Sequence, residues 1–452
     1  METQAPVSNG RSRDWRMLLW LRPGMHVKRW LLLLFLGVVL MGLGVAYLLR
    51  EAYLTYTFPG VAYYLTIQFI PRFLRGLIFA VLSVAMIGTA VWKLNHSLLE
   101  AVQGYRGGAS LVDRVYTYRF RNQGPRVVVI GGGTGLSTLL RGLKQYTTNL
   151  TTIVTVADDG GSSGRLRRDM GVLPPGDIRK NIAALADEEQ LMTRLFQYRF
   201  DEGSGDLEGH SFGNLFIVAM TAVTGSFEEA VRATSRVLNV RGTILPSTLE
   251  DLTLVAEVEG VGTVRGESAI TERGGRVKAI RIEPADAEAN QEAVQALLAA
   301  DMIIVGPGSL YTSVLPNFLV RGVRDAAMAS PAFKAYVCNV ATQHGETDRF
   351  GVADHLGVLE REVGKHFFNA VLANSNLVDE LPPQWHSEPV RPDPGPVRGT
   401  PVVLADVVSD QNRYRHDPDK LATALMQLYD VRVRVPLLAP TSAEPQAMAM
   451  TR

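Results

Sequence analysis

Four short stretches hold the residues that could do chemistry, and each directly follows an apolar run. They are Gly131-Gly132-Gly133-Thr134-Gly135, Asp158-Asp159-Gly160-Gly161-Ser162-Ser163-Gly164, Gly306-Pro307-Gly308-Ser309 and Asn339–Glu346. A glycine turn between a strand and a helix lets backbone N–H groups approach a phosphate, and the helix dipole adds attraction. The first and third stretches both have this form, and two such turns suit a diphosphate better than a single phosphate. Neither matches G-x-G-x-x-G, and no Walker lysine follows.

Asp158 ends the second apolar run twenty-three residues after Gly135, where an acid accepts ribose hydroxyls in dinucleotide folds. Asp158 and Asp159 could equally hold Mg²⁺ or cap a turn. Gly160–Gly164 spells G-x-S-x-G, but a nucleophile elbow needs a sharp strand–Ser–helix turn, and here a polar run follows the strand. Ser162 and Ser163 are read instead as lining an anion site with Arg165, Arg167 and Arg168 close by. Asp177 reads as the cap of a helix whose first turn offers Arg179, Lys180 and Asn181 to a ligand. Asn214 is open to both ligand contact and capping. Ser309, Thr312 and Ser313 add hydroxyls after the third turn, and Asn339 and Thr342 could read a base or sugar. Cys338 reads as a packing residue. The eight histidines show no metal spacing such as H-E-x-x-H, so no metal site is expected.

These stretches must be held by the elements around them. RVVVI (126–130), LTTIVTVA (150–157), MIIVG (302–306), KAYVCNVA (334–341) and PVVLADVV (401–408) read as strands. Helical patterns fall at LSTLLRGLKQY, 178–197, 214–238, 287–299, 317–329 and 416–429. The alternation predicts an α/β fold, a Rossmann-like doubly wound, mostly parallel sheet. Short glycine-separated strands over 246–283 predict a small β-rich insertion. In such sheets ligands bind beyond the carboxyl ends of the strands, where strand order reverses. The four stretches are therefore expected to meet on one edge.

The 452 residues carry 46 Lys+Arg against 45 Asp+Glu, a net charge of +1, and 46% are hydrophobic. This balance argues against a whole-surface nucleic-acid binder. The one cysteine rules out an intramolecular disulfide and suits a reducing compartment. Two uncharged stretches lie near the N-terminus: twenty residues between Arg29 and Arg50, and seventeen between Arg75 and Lys93. Twenty helical residues reach about 30 Å, a hydrocarbon core. The first stretch is too long for a signal h-region, so two transmembrane helices are expected. Six basic residues precede the first span, three lie between the spans and six follow over 93–126. The positive-inside rule then puts both termini in the cytoplasm. The expected organisation is a basic N-terminus (1–29), a transmembrane hairpin (30–95), a linker (96–124), a ligand-binding domain (125–436) and a disordered tail (437–452).

GGGTGLSTLLRGLK, ADDGGSSGRLRRDMGVLPPGDIRKN, HSFGNLF, VGPGSLYTSVLPN and YVCNVATQHGETD, in this order, resemble the YvcK or gluconeogenesis-factor-like family, within the superfamily of 2-phospho-L-lactate transferase. The resemblance covers about 125–430. It implies a Rossmann-like fold binding UDP-N-acetylglucosamine or a related UDP-sugar, with NAD as a further candidate. It also implies a regulatory role in envelope synthesis, cell shape and carbon use. Carried across the motifs, ligand contacts come from Gly133, Thr134, Asp158, Asn214, Gly308 and Ser309, then Asn339 and Thr342. The transferase branch implies instead a magnesium-dependent phospholactyl transfer. The expected setting is the cell membrane, beside envelope-synthesis proteins or as a homo-oligomer. GETDRF and the histidine of TQHGE depart from the family's usual wording at 343–350.

Overall fold

The computed structural model describes residues 27–55, 69–102, 124–186, 190–378, 380–393 and 395–434, together with 60, 64 and 67. Most of the expected linker, most of the basic N-terminus and the tail lie outside these residues. The chain divides into two units, Met1–Phe120 and Arg121–Arg452.

The first unit contains two long helices, α1 (Val27–Thr55) and α2 (Arg72–Val102). Among the described residues, α1 alone is long and apolar enough to cross a membrane, over Phe35–Ala52. The apolar part of α2 is shorter, Phe73–Thr89, and the helix runs on through residues expected to begin the linker. Apolar side chains of α1, Leu40 and Leu48 among them, are exposed.

The second unit is built on a sheet of seven parallel strands. Its chain order is β1 (Val127–Gly131), α3 (Gly133–Leu143), β2 (Leu150–Val154), α4 (Gly161–Met170), α5 (Gly176–Leu185), α6 (Gln190–Gln197), α7 (Phe212–Thr224), α8 (Phe227–Val237) and β3 (Thr243–Pro246). The insertion follows as β4 (Thr253–Val258), β5 (Gly262–Arg265), α9 (Glu267–Arg273) and β6 (Val277–Glu283). Then come α10 (Gln291–Ala299), β7 (Met302–Val305), a π-helical turn (Leu310–Val314), α11 (Leu315–Leu319), α12 (Arg321–Ala329) and β8 (Phe333–Val337). α13 (Val352–Val363), β9 (Ala370–Asn374), β10 (Val402–Ala405) and α14 (Pro418–Arg434) close the chain.

The sheet order is β10-β9-β8-β7-β1-β2-β3. Going outward from β1, the chain takes β2 and β3 on one side and β7 to β10 on the other. The reversal point therefore lies between β1 and β7, whose pairing aligns Val127 with Met302 and Ile130 with Val305. These strands are buried along their whole length, as the continuous apolar runs of a covered parallel sheet require.

Several boundaries differ from the sequence reading. Thr243–Pro246 is a strand of the main sheet beside β2, so the insertion begins at β4. The insertion is a three-stranded antiparallel sheet in the order β5-β4-β6, and it carries the unexpected helix α9. The helical stretches at 178–197 and 214–238 are each two helices. β2 ends at Val154 and β8 at Val337, several residues early, because the chain leaves the ladder to form the loops of the sheet edge. Cys338 is buried, and burial pushes its thiol up to about 12, as suits a packing residue.

Candidate functional site

A cavity of about 380 Å³ opens at the reversal point, within the range of small-ligand sites. Gly132, Gly133, Thr134 and Gly135 line it from β1, Gly308 and Ser309 from β7, and Asn339 from β8. The two glycine turns touch: a Cβ on Gly135 would meet the Pro307 carbonyl oxygen at 2.7 Å. Gly133 has φ +68°, in the left-handed region that other residues seldom adopt. These contacts explain the small residues at both corners.

Each wall has its own hydrogen bonding. The Gly133 N–H donates to Asp177 Oδ2 at 2.6 Å, and Asp177 Oδ1 pairs with the Lys180 ammonium at 2.9 Å. Asp177 does not cap its own helix, because Pro175 occupies the cap position of α5. Instead it ties that helix to the first glycine turn and delivers Lys180 to the cavity. Asn339 holds the second turn reciprocally, accepting the Gly308 N–H at 3.1 Å and donating to the Gly308 carbonyl at 2.8 Å. The Ser309 hydroxyl donates to Glu346 Oε2 and accepts the Thr312 N–H at 3.2 Å. Thr271, from the insertion, also donates to Glu346, at 3.3 Å.

Glu346 and Glu267 form an acidic side of the cavity. Burial pushes the Glu267 carboxyl well above its ordinary value, and the charges of Asp158, Asp177, Asp159 and Glu346 add to the shift. Burial also raises Glu346, against the hydrogen bonds from Ser309 and Thr271 that pull it down. Lys180 is pulled down by burial but raised overall by Asp177. Tyr414, Arg415 and His416, ahead of α14, complete the lining. Burial pushes the His416 imidazole down to about 4, which keeps it neutral.

The remaining expected residues do not line this cavity. Gly131 and Gly306 are backbone corners behind it. Asp158 accepts the Gly160 N–H at 3.0 Å, and burial, then Asp177, raises its carboxyl. The Ser163 hydroxyl bonds to Asp158. Asp159 accepts the Ser268 N–H at 2.8 Å, capping α9 and fastening the insertion to the β2 loop. Ser162 belongs to a buried network: its hydroxyl lies 3.0 Å from His210 Nδ1 and accepts from Asn214 Nδ2 at 3.0 Å. Asn214 Oδ1 in turn accepts from Arg179 Nε at 2.9 Å, so Asn214 neither faces the cavity nor caps α7. This network contains a hydroxyl–imidazole pair, but none of its residues lines the cavity at the reversal point. Asn181 is fully buried, and its side-chain amide finds no partner among the described residues. Thr342 exchanges hydrogen bonds with Glu388 and pins the 381–400 loop. Arg165 and Arg167 bond the Glu208 and Leu252 carbonyls, away from the lining.

Glu267 and Thr271 escaped the sequence reading because the insertion carries them, and Tyr414–His416 because they lie well beyond the end of β10. The one available signal was the Arg413–His416 run just before a helix start.

Among the described residues, no three His, Cys, Asp or Glu side chains form a group that could hold a metal ion. The lining supplies N–H and hydroxyl donors, two cations and two carboxyls raised by burial. The donors and cations suit phosphate oxygens, and the carboxyls suit hydroxyl groups.

The model of the family described as 2-phospho-L-lactate transferase CofD matches residues 127–408. The chain belongs to the CofD family. A Nostoc protein named "Putative gluconeogenesis factor" is 45% identical over 423 residues, covering 91% of this chain and 92% of its own. The gluconeogenesis factor of Bacillus subtilis is 45% identical over 313 residues, 68% of this chain but 98% of its own. A crystal structure of a Bacillus halodurans protein has 42% identity and a TM-score of 0.65, covering 67% of this chain and all of that one. Within the CofD family this chain thus resembles proteins named gluconeogenesis factors, and about two thirds of it accounts for almost the whole of the Bacillus relatives.

Proposed function

We propose that the CofD-like domain is a regulatory binding module for a nucleoside-diphosphate sugar of the UDP-N-acetylglucosamine class. The observation that carries this reading is the cavity lining: paired glycine turns with Lys180 and Arg415, together with the carboxyls of Glu267 and Glu346. A diphosphate meets donors and positive charge, while sugar hydroxyls meet buried carboxyls. The names of the relatives support a role in carbon metabolism, which in this reading links sugar-nucleotide supply to envelope synthesis and cell shape. The helix α1, with α2 beside it in sequence, anchors the chain to the cell membrane with the domain on the cytoplasmic side, where envelope-synthesis proteins or a second copy are its partners.

Equilibrium dialysis of the full chain in detergent against UDP-N-acetylglucosamine, GDP and NAD tests the proposal. Preferential retention of the UDP-sugar is expected, and equal or stronger retention of NAD would replace it with a dinucleotide site. The family match supports a second reading, a phospholactyl-type transferase. Magnesium-dependent transfer of a phospholactyl group to a deazaflavin acceptor would establish that one instead.

A further inference from the structure

The β insertion and α13 enclose a second cavity, about 430 Å³, whose lining shares no residue with the first. Four cations converge on it: Arg276 and Lys278 at the start of β6, Arg361 on α13 and Arg398 ahead of β10. Two of them are committed. Lys278 lies 3.3 Å from Glu259, and Arg398 lies 2.5 Å from the buried Glu360. Asp354, also on the wall, accepts the Gly351 N–H at 2.9 Å. Arg276 and Arg361 have no carboxylate partner within ion-pair distance among the described residues. Between them lies the Tyr311 phenol, which hydrogen-bonds Arg361 and the Val277 carbonyl, the latter at 3.4 Å.

Two uncommitted guanidinium groups from different elements, beside a hydroxyl and the Phe350 ring, repel one another until an anion joins them. Guanidinium forks match the geometry of phosphate oxygens. The cavity volume suits a small molecule. We propose that this cleft is a second anion site, binding a small diphosphate-bearing molecule through Arg276, Arg361 and the Tyr311 hydroxyl. Tyr311 connects the two sites, because its backbone N–H donates to Glu346 of the first.

Calorimetric titration of inorganic diphosphate into the full chain in detergent tests this, with R276Q/R361Q, E259Q and G133V variants in parallel. R276Q/R361Q is expected to lose one class of sites, with affinity falling about tenfold or more. G133V should leave that class intact. E259Q, an exposed change that frees Lys278 and leaves the fold undisturbed, should tighten uptake about threefold. Wild-type behaviour of either R276Q/R361Q or E259Q overturns the proposal. Unchanged diphosphate uptake by G133V at every site counts against the glycine-turn reading alone and leaves the cleft standing.

Discussion

The carboxylate of Asp177 accepts the Gly133 amide proton at 2.6 Å, across 44 residues of sequence. One side chain thus fixes the turn that opens the site and, through Lys180, sets a positive charge beside it. Truncating it leaves a glycine turn without its acceptor and an ammonium without its partner. Hydrogen bonds involving a charged group contribute about 1.5–3 kcal/mol, so D177A should lose about that much stability. Urea denaturation checks this, and a loss below about 0.5 kcal/mol would show that the turn holds itself.

Gly133 sits at φ +68°, where a β-branched residue is strained. G133V should cost about 1–3 kcal/mol and weaken ligand binding, while the parallel sheet survives. Circular dichroism monitors the fold, and binding is measured on the same sample. A folded variant with unchanged affinity would remove this turn from the site.

Glu267 and Glu346 carry raised values in the folded chain. A carboxyl raised on folding favours the protonated folded state. Its contribution is complete below the ordinary glutamate value and is lost as pH climbs through the raised range. E267Q, permanently neutral, should therefore melt above the wild type near neutrality, with the difference shrinking as pH falls. Affinity for an anionic ligand should fall with rising pH more steeply in the wild type than in E267Q. Melting curves across pH that run parallel for the two proteins would contradict the assignment.

Asn214 links Arg179 to Ser162 in the buried network. N214A strands the Arg179 Nε–H and leaves Ser162 only its His210 partner, and an unsatisfied buried polar group costs about 1–3 kcal/mol. Stability should drop by that order, while ligand affinity, measured well below the melting temperature, shifts by less than about threefold. A large affinity loss with intact stability would restore Asn214 to ligand contact.

The legible features were those with local causes. Runs such as Val127–Ile130 and Met302–Val305 are buried parallel strands, and the glycine corners after them mark the sheet edge where strand order reverses. Contacts between distant segments were not legible. Asp177 looks like a local cap in sequence, yet its partner is Gly133, and Asp159 caps a helix more than a hundred residues away. β9 and α13 went unread because Ala370–Asn374 is a short run with no glycine corner, and α13 mixes charges into its apolar face. β3 went unread because it is only four residues long and ends on Pro246, where the insertion was expected to begin. The acidic side of the site shares this origin: Glu267 reaches the cavity only because the insertion folds back over it.

The central claim is that this cavity takes a sugar nucleotide through Lys180 and the glycine turns. Calorimetry of UDP-N-acetylglucosamine with the full-length protein, wild type beside K180A, tests it most directly. Saturable one-to-one binding is expected in the wild type, with an affinity about tenfold or more weaker in K180A. Absence of heat at high ligand in the wild type, or identical isotherms for the two proteins, would contradict it.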